Sequence, residues 1–282
     1  MSVLIIGATG MLGQELGKVF AEKDPILWSR KEIDISNGEE VENRIGTIQP
    51  DIVINAAAYN HVDGAEQEKD LAKQINGLAV GYIARAVRAY GGLLIHYSTD
   101  YVFKGDIPEG YNEAAQPDPQ SVYAQSKFFG EQELAQQMDR YYLIRLSRLF
   151  GKKGTGKSVK ESFVDKMIRL SETHESVQVI NEEVSNPTFA TDLAKKTKEI
   201  LDTKKDFGIY HVTNAGSCTW YEFAQEIFAQ IGWNGTLEPV PASTFPRPAE
   251  RPKFSVLINT KLPKMRTWQE ALKDYLHIKG FI

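Results

Sequence analysis

One stretch near the N-terminus limits what this chain can fold into more than any other. Ser2–Ile6 (SVLII) reads as a buried strand, and it runs straight into Gly7-Ala8-Thr9-Gly10-Met11-Leu12-Gly13. A helical pattern over Gln14–Glu22 follows. Strand, glycine-spaced turn and helix, in that order, bring the N–H groups of a helix N-terminus to a dinucleotide pyrophosphate. Gly7 then permits the tight turn, Gly10 lets the backbone approach the phosphates, and Gly13 lets helix and strand pack closely. The spacing is G-x-x-G-x-x-G rather than the G-x-G-x-x-G of many dehydrogenases. A tight strand-to-helix turn with no ligand is the plain alternative.

The alternation continues down the chain. Pro25–Trp28, Asp51–Asn55, Leu93–Tyr97, Tyr142–Leu146 and Gly208–Thr213 read as apolar strands with helical stretches between them. Glu66–Tyr90 reads as one long helix with Asn76 near its middle. This predicts an α/β fold, a doubly wound parallel Rossmann sheet with ligands outside the carboxyl ends of its strands. Gly7, Ala58 and Thr99 all fall at such ends. After Ser217 the alternation stops. Thr219-x-x-Glu222 and Thr267-x-x-Glu270 are capping boxes opening helices over Trp220–Ile231 and Trp268–Leu276. Between them, proline-rich Pro239–Pro252 cannot be sheet interior. The expected division is a dinucleotide-binding domain over residues 1–152 plus about 175–214, with a smaller, mostly helical C-terminal substrate subdomain over about 153–174 and 215–282.

The tip of the second strand bears on the choice of dinucleotide. Ser29, Arg30 and Lys31 stand where an acidic residue would bond a ribose 2′-hydroxyl, and an arginine there accommodates a 2′-phosphate. NADPH is therefore expected over NADH, with NADH as the alternative if Arg30 and Lys31 are only solvated charges. Asp34-Ile35 follows where adenine would lie.

Bulk properties exclude several classes. A net charge of −4 argues against a general nucleic-acid binder, which shows a basic face. No apolar run approaches the roughly 18 residues of a membrane helix. The lone Cys218 allows no internal disulfide and fits a reducing compartment, so a cytoplasmic location is expected. The five histidines are scattered without ligand spacing, and no metal site is expected. Gly151–Ser158 (GKKGTGKS) satisfies the phosphate-loop pattern G-x-x-x-x-G-K-S. No later strand ends in the aspartate that such a site needs for magnesium, so a lysine-rich loop is the expected reading.

The chemistry points to His96–Lys127. Leu93–His96 leads into Ser98, Thr99 and Asp100, and Ser121–Glu131 (SVYAQSKFFGE) opens a helix with Tyr123 and Lys127 on one face. A phenol, an ammonium and a hydroxyl at a strand end can protonate the oxygen of a carbonyl under hydride attack. Lys127, one helical turn away, is expected to lower the pKa of Tyr123.

Taken together, GATGMLG, INAAAYN (Ile54–Asn60), HYSTDYVF (His96–Phe103) and YAQSK (Tyr123–Lys127) resemble the extended short-chain dehydrogenases/reductases. NPTFATDLA (Asn186–Ala194), TWYEFA (Thr219–Ala224) and RPKFSVL (Arg251–Leu257) narrow the likeness to the dTDP-4-dehydrorhamnose reductases, over essentially the whole chain. The resemblance implies reduction of the 4-keto group of dTDP-4-dehydro-L-rhamnose to dTDP-L-rhamnose for surface polysaccharide. It implies Tyr123 as proton donor, Lys127 as its partner and a ribose ligand, and Thr99 as the third catalytic group. Gly10, Met11 and Leu12 match the pyrophosphate turn. Asp34, Ile35, Ala58, Tyr59, Asn60 and Tyr97 match further cofactor contacts, and Thr99 and Asp100 match substrate contacts. The nucleotide-sugar substrate that the resemblance implies also carries a diphosphate, for which Arg251, in the family-like R-P-x-x-S segment, is the best candidate, because its planar fork binds phosphate oxygens bidentately.

Two positions depart from the pattern. Arg148 stands where the family commonly has a tryptophan against the sugar nucleotide. Some members form homodimers through a magnesium site; Glu15 matches one of its ligands, but Thr191 stands where another carboxylate belongs, so the metal is not carried over. A nucleotide-sugar epimerase or dehydratase of the same superfamily is the alternative enzyme. A non-catalytic NADP-binding regulatory subunit is the alternative of a different class, and intact Thr99, Tyr123 and Lys127 argue against it.

Overall fold

The computed structural model describes residues 1–156 and 161–282. Six strands form one parallel sheet: β1 (Val3–Ile6), β2 (Ile26–Trp28), β3 (Ile52–Asn55), β4 (Leu93–Thr99), β5 (Tyr141–Leu146) and β6 (Gly208–His211). Their spatial order is 2-1-3-4-5-6. The chain leaves β1 to one side for β2 and returns on the other for β3, so the switch point lies between β1 and β3. The strands read as continuous apolar runs because helices cover both faces: all of VLII and all of IVIN are buried.

Helices α1 (Met11–Val19), α2 (Gly38–Ile48), α3 (Ala79–Ala89), α4 (Val122–Gln137), α5 (Phe163–Ser171), α6 (Ala190–Asp202), α7 (Trp220–Ile231) and α8 (Trp268–Lys279) complete the main elements. Leu12 and Leu16 of α1 pack with Leu193 and Ile200 of α6 on one face of the sheet. Val41, Ile83, Val87 and Leu134, from α2, α3 and α4, cover the other. A third core gathers Phe150, Val164, Val177, Phe189, Phe223 and Tyr275. Each such fully buried side chain contributes roughly 1.5–3 kcal/mol relative to an exposed one. Among the described residues, no helix is long and apolar enough to cross a membrane.

Both capping boxes form, with Thr219 and Thr267 exchanging bonds with Glu222 and Glu270. Two sequence expectations need correction. The long helix over Glu66–Tyr90 is broken into Val62–Ala65, Lys69–Lys73, a π-helical turn at Gln74–Leu78, and α3. The wide turn brings the Asn76 carbonyl against α4, where a Cβ on Gly130 would lie 2.0 Å from it. Ser176–Ile180 pairs in parallel with Thr236–Val240 rather than with the six-stranded sheet, so this segment sits with the tail. Pro239 thus lies in a strand, in a two-stranded ribbon where every strand is an edge.

Candidate active site

The glycine turn closes the carboxyl end of β1. Gly7 has φ +82°, and a Cβ there would stand 2.6 Å from the Ala57 nitrogen after β3. Gly13 is as tightly placed, its Cβ position 2.2 Å from the Gly7 carbonyl oxygen. Gly10 is the N-cap of α1 and has no side chain, and among the described residues no side-chain cap bonds the first turn. A bare helix N-terminus behind a glycine turn at the sheet's switch point fits a dinucleotide pyrophosphate. Residues after β5 line this turn: Thr155 N–H donates to the Thr9 carbonyl at 3.0 Å, and Gln14 donates to the Lys153 carbonyl. The phosphate-loop-like Gly151–Ser158 therefore lies across the glycine turn as far as Gly156; its Lys157 and Ser158 fall outside the described residues.

At the tip of β2, Glu32 folds back to accept the Ser29 N–H and hydroxyl, at 2.7 and 2.6 Å. Arg30 is exposed. Asp34 accepts the Ser36 N–H and hydroxyl, which hold its carboxyl below the usual carboxylate range. Ile35 is buried, Ala58 half-buried and Asn60 exposed. Tyr59 bonds Glu68 through its hydroxyl at 2.5 Å, and its N–H and carbonyl are both held by the Asn76 side chain, at 2.8 and 3.0 Å. Asn76 also donates to Ser126 on α4 at 3.0 Å. Its role as a clamp between the β3 end and α4 is not one that a lone helical asparagine announces.

Thr99, Tyr123 and Lys127 come together where β4 ends and α4 begins. The Thr99 hydroxyl donates to Asp100 at 3.1 Å and accepts the Tyr101 N–H. Tyr123 is buried, and its ring meets Tyr101 edge to face at 6.1 Å. Lys127 is buried and donates to the Tyr97 carbonyl at 2.6 Å. Tyr97 offers that carbonyl, while its hydroxyl bonds Thr197 of α6 at 2.8 Å. Burial pulls the Lys127 ammonium down to about 8, against the charge of Glu131 one turn further on. Burial and the Lys127 charge hold His96 neutral.

The expected lowering of the Tyr123 pKa is overturned. Burial pushes the phenol up, the Asp100 charge adds to this, and only Thr99 opposes them. The ammonium is turned to the Tyr97 carbonyl instead. The consequence is a phenol that holds its proton, the state in which a proton donor starts. Asp100 is raised by burial to about 6, against hydrogen bonds from Ser255 and Thr99 and the charge of Arg148.

Arg148 and Arg251 are both committed to protein partners. Arg148, at φ +41°, donates to the Cys218 and Glu183 carbonyls at 2.7 and 2.6 Å and lies 3.9 Å over the Trp220 ring. Its influence on the site is electrostatic, through Asp100 and Tyr101. Arg251 grips Asp63 with both prongs and lines a cavity of about 320 Å³ with Arg247, Lys253 and Glu183. Arg251 and Glu183 both act electrostatically on the Tyr101 hydroxyl. Glu183, which takes the Trp220 indole N–H and pairs with Arg247, had no sequence signal. Glu15 accepts from Thr191 at 2.9 Å and pairs with Lys18, and among the described residues no metal-ligating cluster is gathered.

Comparison with known proteins bears on the family and the fold. Residues 1–280 match the family described as RmlD substrate binding domain. The spore coat polysaccharide biosynthesis protein SpsK of Bacillus subtilis is 34% identical over 280 residues, covering 97% of this chain and 96% of that protein. The dTDP-4-dehydrorhamnose reductase of Escherichia coli is 33% identical over 297 residues, covering 98% of this chain and 97% of the relative. A crystal structure of dTDP-4-dehydrorhamnose reductase from Bacillus anthracis in complex with NADP superimposes with a TM-score of 0.93 at 36% identity, covering 98% of this chain and 99% of that one. With a six-stranded parallel sheet, a glycine turn at its switch point and a match over nearly its full length, the chain belongs to the RmlD family of dTDP-4-dehydrorhamnose reductases.

Proposed function

We propose that the protein reduces the 4-keto group of dTDP-4-dehydro-L-rhamnose with NADPH to give dTDP-L-rhamnose for surface polysaccharide. The observation that carries this reading is the meeting of Thr99, Tyr123 and Lys127 at the β4 end, on the same carboxyl edge of the sheet as the glycine turn. When bound, the nicotinamide supplies the hydride for the carbonyl carbon. Tyr123 holds the proton that the carbonyl oxygen takes as it becomes a hydroxyl. Thr99 orients that phenol and the neighbouring Asp100. Lys127, fixed by the Tyr97 carbonyl, keeps a positive charge near the developing oxyanion.

Gly7, Gly10, Met11, Leu12 and Gly13 would hold the pyrophosphate, and Arg30 a 2′-phosphate, since Glu32 is turned back onto Ser29. Arg251 and its basic neighbours Arg247 and Lys253 suit the substrate diphosphate, and the subdomain carrying them suits substrate binding. A cytoplasmic location and a homodimer accord with this reading. Mixing the protein, NADPH and dTDP-4-dehydro-L-rhamnose tests it: loss of NADPH absorbance with formation of dTDP-L-rhamnose is expected. Tight NADPH binding without oxidation would instead favour a regulatory subunit.

A further inference from the structure

The C-terminal tail, from Arg251 to Thr260, laces the molecule together. Phe254 N–H donates to the Gly105 carbonyl, Ser255 N–H to the Val184 carbonyl, and Leu257 N–H to the Asn186 side chain. Ile258 and Tyr111 bond through their main chains, and Thr260 bonds Glu113. At the centre of this seam the Ser255 hydroxyl donates to the Asp100 carboxylate at 2.6 Å, across 155 positions of sequence. Both residues are buried, Ser255 at 3% exposure and Asp100 at 3%. The other carboxylate oxygen takes the Thr99 hydroxyl. Asp100 is therefore held from both sides, by one residue of the candidate catalytic set and by one residue of the tail.

We propose that Ser255 is a positioning residue that acts through Asp100, keeping its carboxylate charged and fixed beside Thr99. The proposal rests on the reductase reading above. Desolvation favours the neutral acid at Asp100, and it is opposed by Ser255 from the tail, Thr99 from β4, Arg148 from the segment after β5 and the Asp100 main chain itself. Tyr123 of α4 and Tyr101 feel the Asp100 charge and stay protonated, Tyr101 also lying under the influence of Glu183 and Arg251. Of these opposing groups, Ser255 is the one contributed by the tail that also carries Arg251. The packing of the tail thus contributes to holding Asp100 as an anion near neutral pH. Asp100 in its charged form accepts a hydrogen bond from a substrate hydroxyl and lends order to Thr99; in its neutral form it does neither as well.

The sign follows from the donor. Ser255 stabilises the carboxylate, so removing its hydroxyl raises the Asp100 pKa further above its unfolded value. The activity that needs the anion then disappears at a higher pH. The test is kcat/KM against pH for wild type, Ser255→Ala and Ser255→Thr, with NADPH and dTDP-4-dehydro-L-rhamnose. Wild type is expected to show an acid limb near the Asp100 value of about 6. In Ser255→Ala that limb moves up by about one pH unit, and Ser255→Thr brings it back. NADPH affinity stays unchanged in both. A lower rate with an unmoved limb, or a shift of the alkaline limb instead, overturns the proposal. Ser255→Cys keeps a side chain of the same connectivity with a weaker donor and reads the same shift should the alanine variant not fold. Infrared titration of the Asp100 carboxyl in wild type and Ser255→Cys follows the same change without turnover. Absence of ketone reduction by wild type overturns the reductase reading, whereas an unshifted carboxyl titration overturns the role of Ser255.

Discussion

Arg251 and Asp63 lock together across 188 positions of sequence, Nη1 to Oδ1 at 2.5 Å and Nη2 to Oδ2 at 2.7 Å. The pair joins the tail to the short helix that follows β3, and the guanidinium holds Asp63 below the usual carboxylate range. Asp63 thereby presents to Arg251 two oxygens in the geometry that a diphosphate offers.

If Arg251 is a diphosphate ligand, Asp63 competes with the substrate for it, and the two residues respond differently to substitution. Arg251→Ala is expected to weaken dTDP binding by about tenfold or more. Asp63→Asn is expected to leave that affinity unchanged or to raise it. Calorimetric titration with dTDP separates the cases. Equal losses in both variants mean that the pair only holds the tail in place.

Tyr123→Phe removes the hydroxyl proposed to donate to the substrate oxygen from this place on α4. General acid catalysis contributes about 10²–10⁴-fold, so turnover should fall within that range. NADP affinity should not change, since the ring still packs against Tyr101 and the Tyr59 cluster. Stopped-flow NADPH oxidation together with NADP titration checks both halves. Wild-type turnover would remove Tyr123 from the mechanism.

What could be read in the amino-acid order follows the range of the interactions involved. VLII and IVIN announce buried parallel strands because both faces are covered, and Tyr123 and Lys127 announce one face because helical spacing is local. The break at Gln74–Leu78 could not be read, because QINGL carries no signal that separates a π turn from an α turn; the contact of Asn76 with Gly130 on α4 shapes it. Ser176–Ile180 was legible as a strand but not as a partner of Thr236–Val240, since a short apolar run does not specify its neighbour. The Tyr123 pKa needed burial and the position of Asp100, neither of which spacing contains. Ser255 lay inside the R-P-x-x-S segment, a signal for the tail but not for its bond to Asp100.

The proposed role of Arg30 is to favour one cofactor over another. With Glu32 folded onto Ser29, the outward charge at the β2 tip is positive, which suits a 2′-phosphate and does nothing for a 2′-hydroxyl. Arg30→Ala should lower the ratio of kcat/KM for NADPH to that for NADH by about tenfold. Initial rates with each cofactor measure it. An unchanged ratio leaves Arg30 a solvated surface charge.

Asn76 links the end of β3 and α4 through one amide. It accepts the Tyr59 N–H, donates to the Tyr59 carbonyl, and donates to Ser126, whose hydroxyl in turn bonds the Tyr123 carbonyl at 2.7 Å. Asn76 is 1% exposed, so truncation leaves the Tyr59 main chain without these partners, at a cost of about 1–3 kcal/mol for each group stranded. Asn76→Ala should therefore lower the unfolding midpoint in denaturant. It should also reduce turnover in the folded fraction, because the end of β3 and the first turn of α4 lose their common anchor. Asn76→Asp keeps an acceptor for the Tyr59 N–H but loses both donated bonds and buries a carboxyl group, so it should fare no better. Wild-type stability with reduced turnover would separate positioning from folding, and wild-type values of both would show that the clamp holds nothing in place.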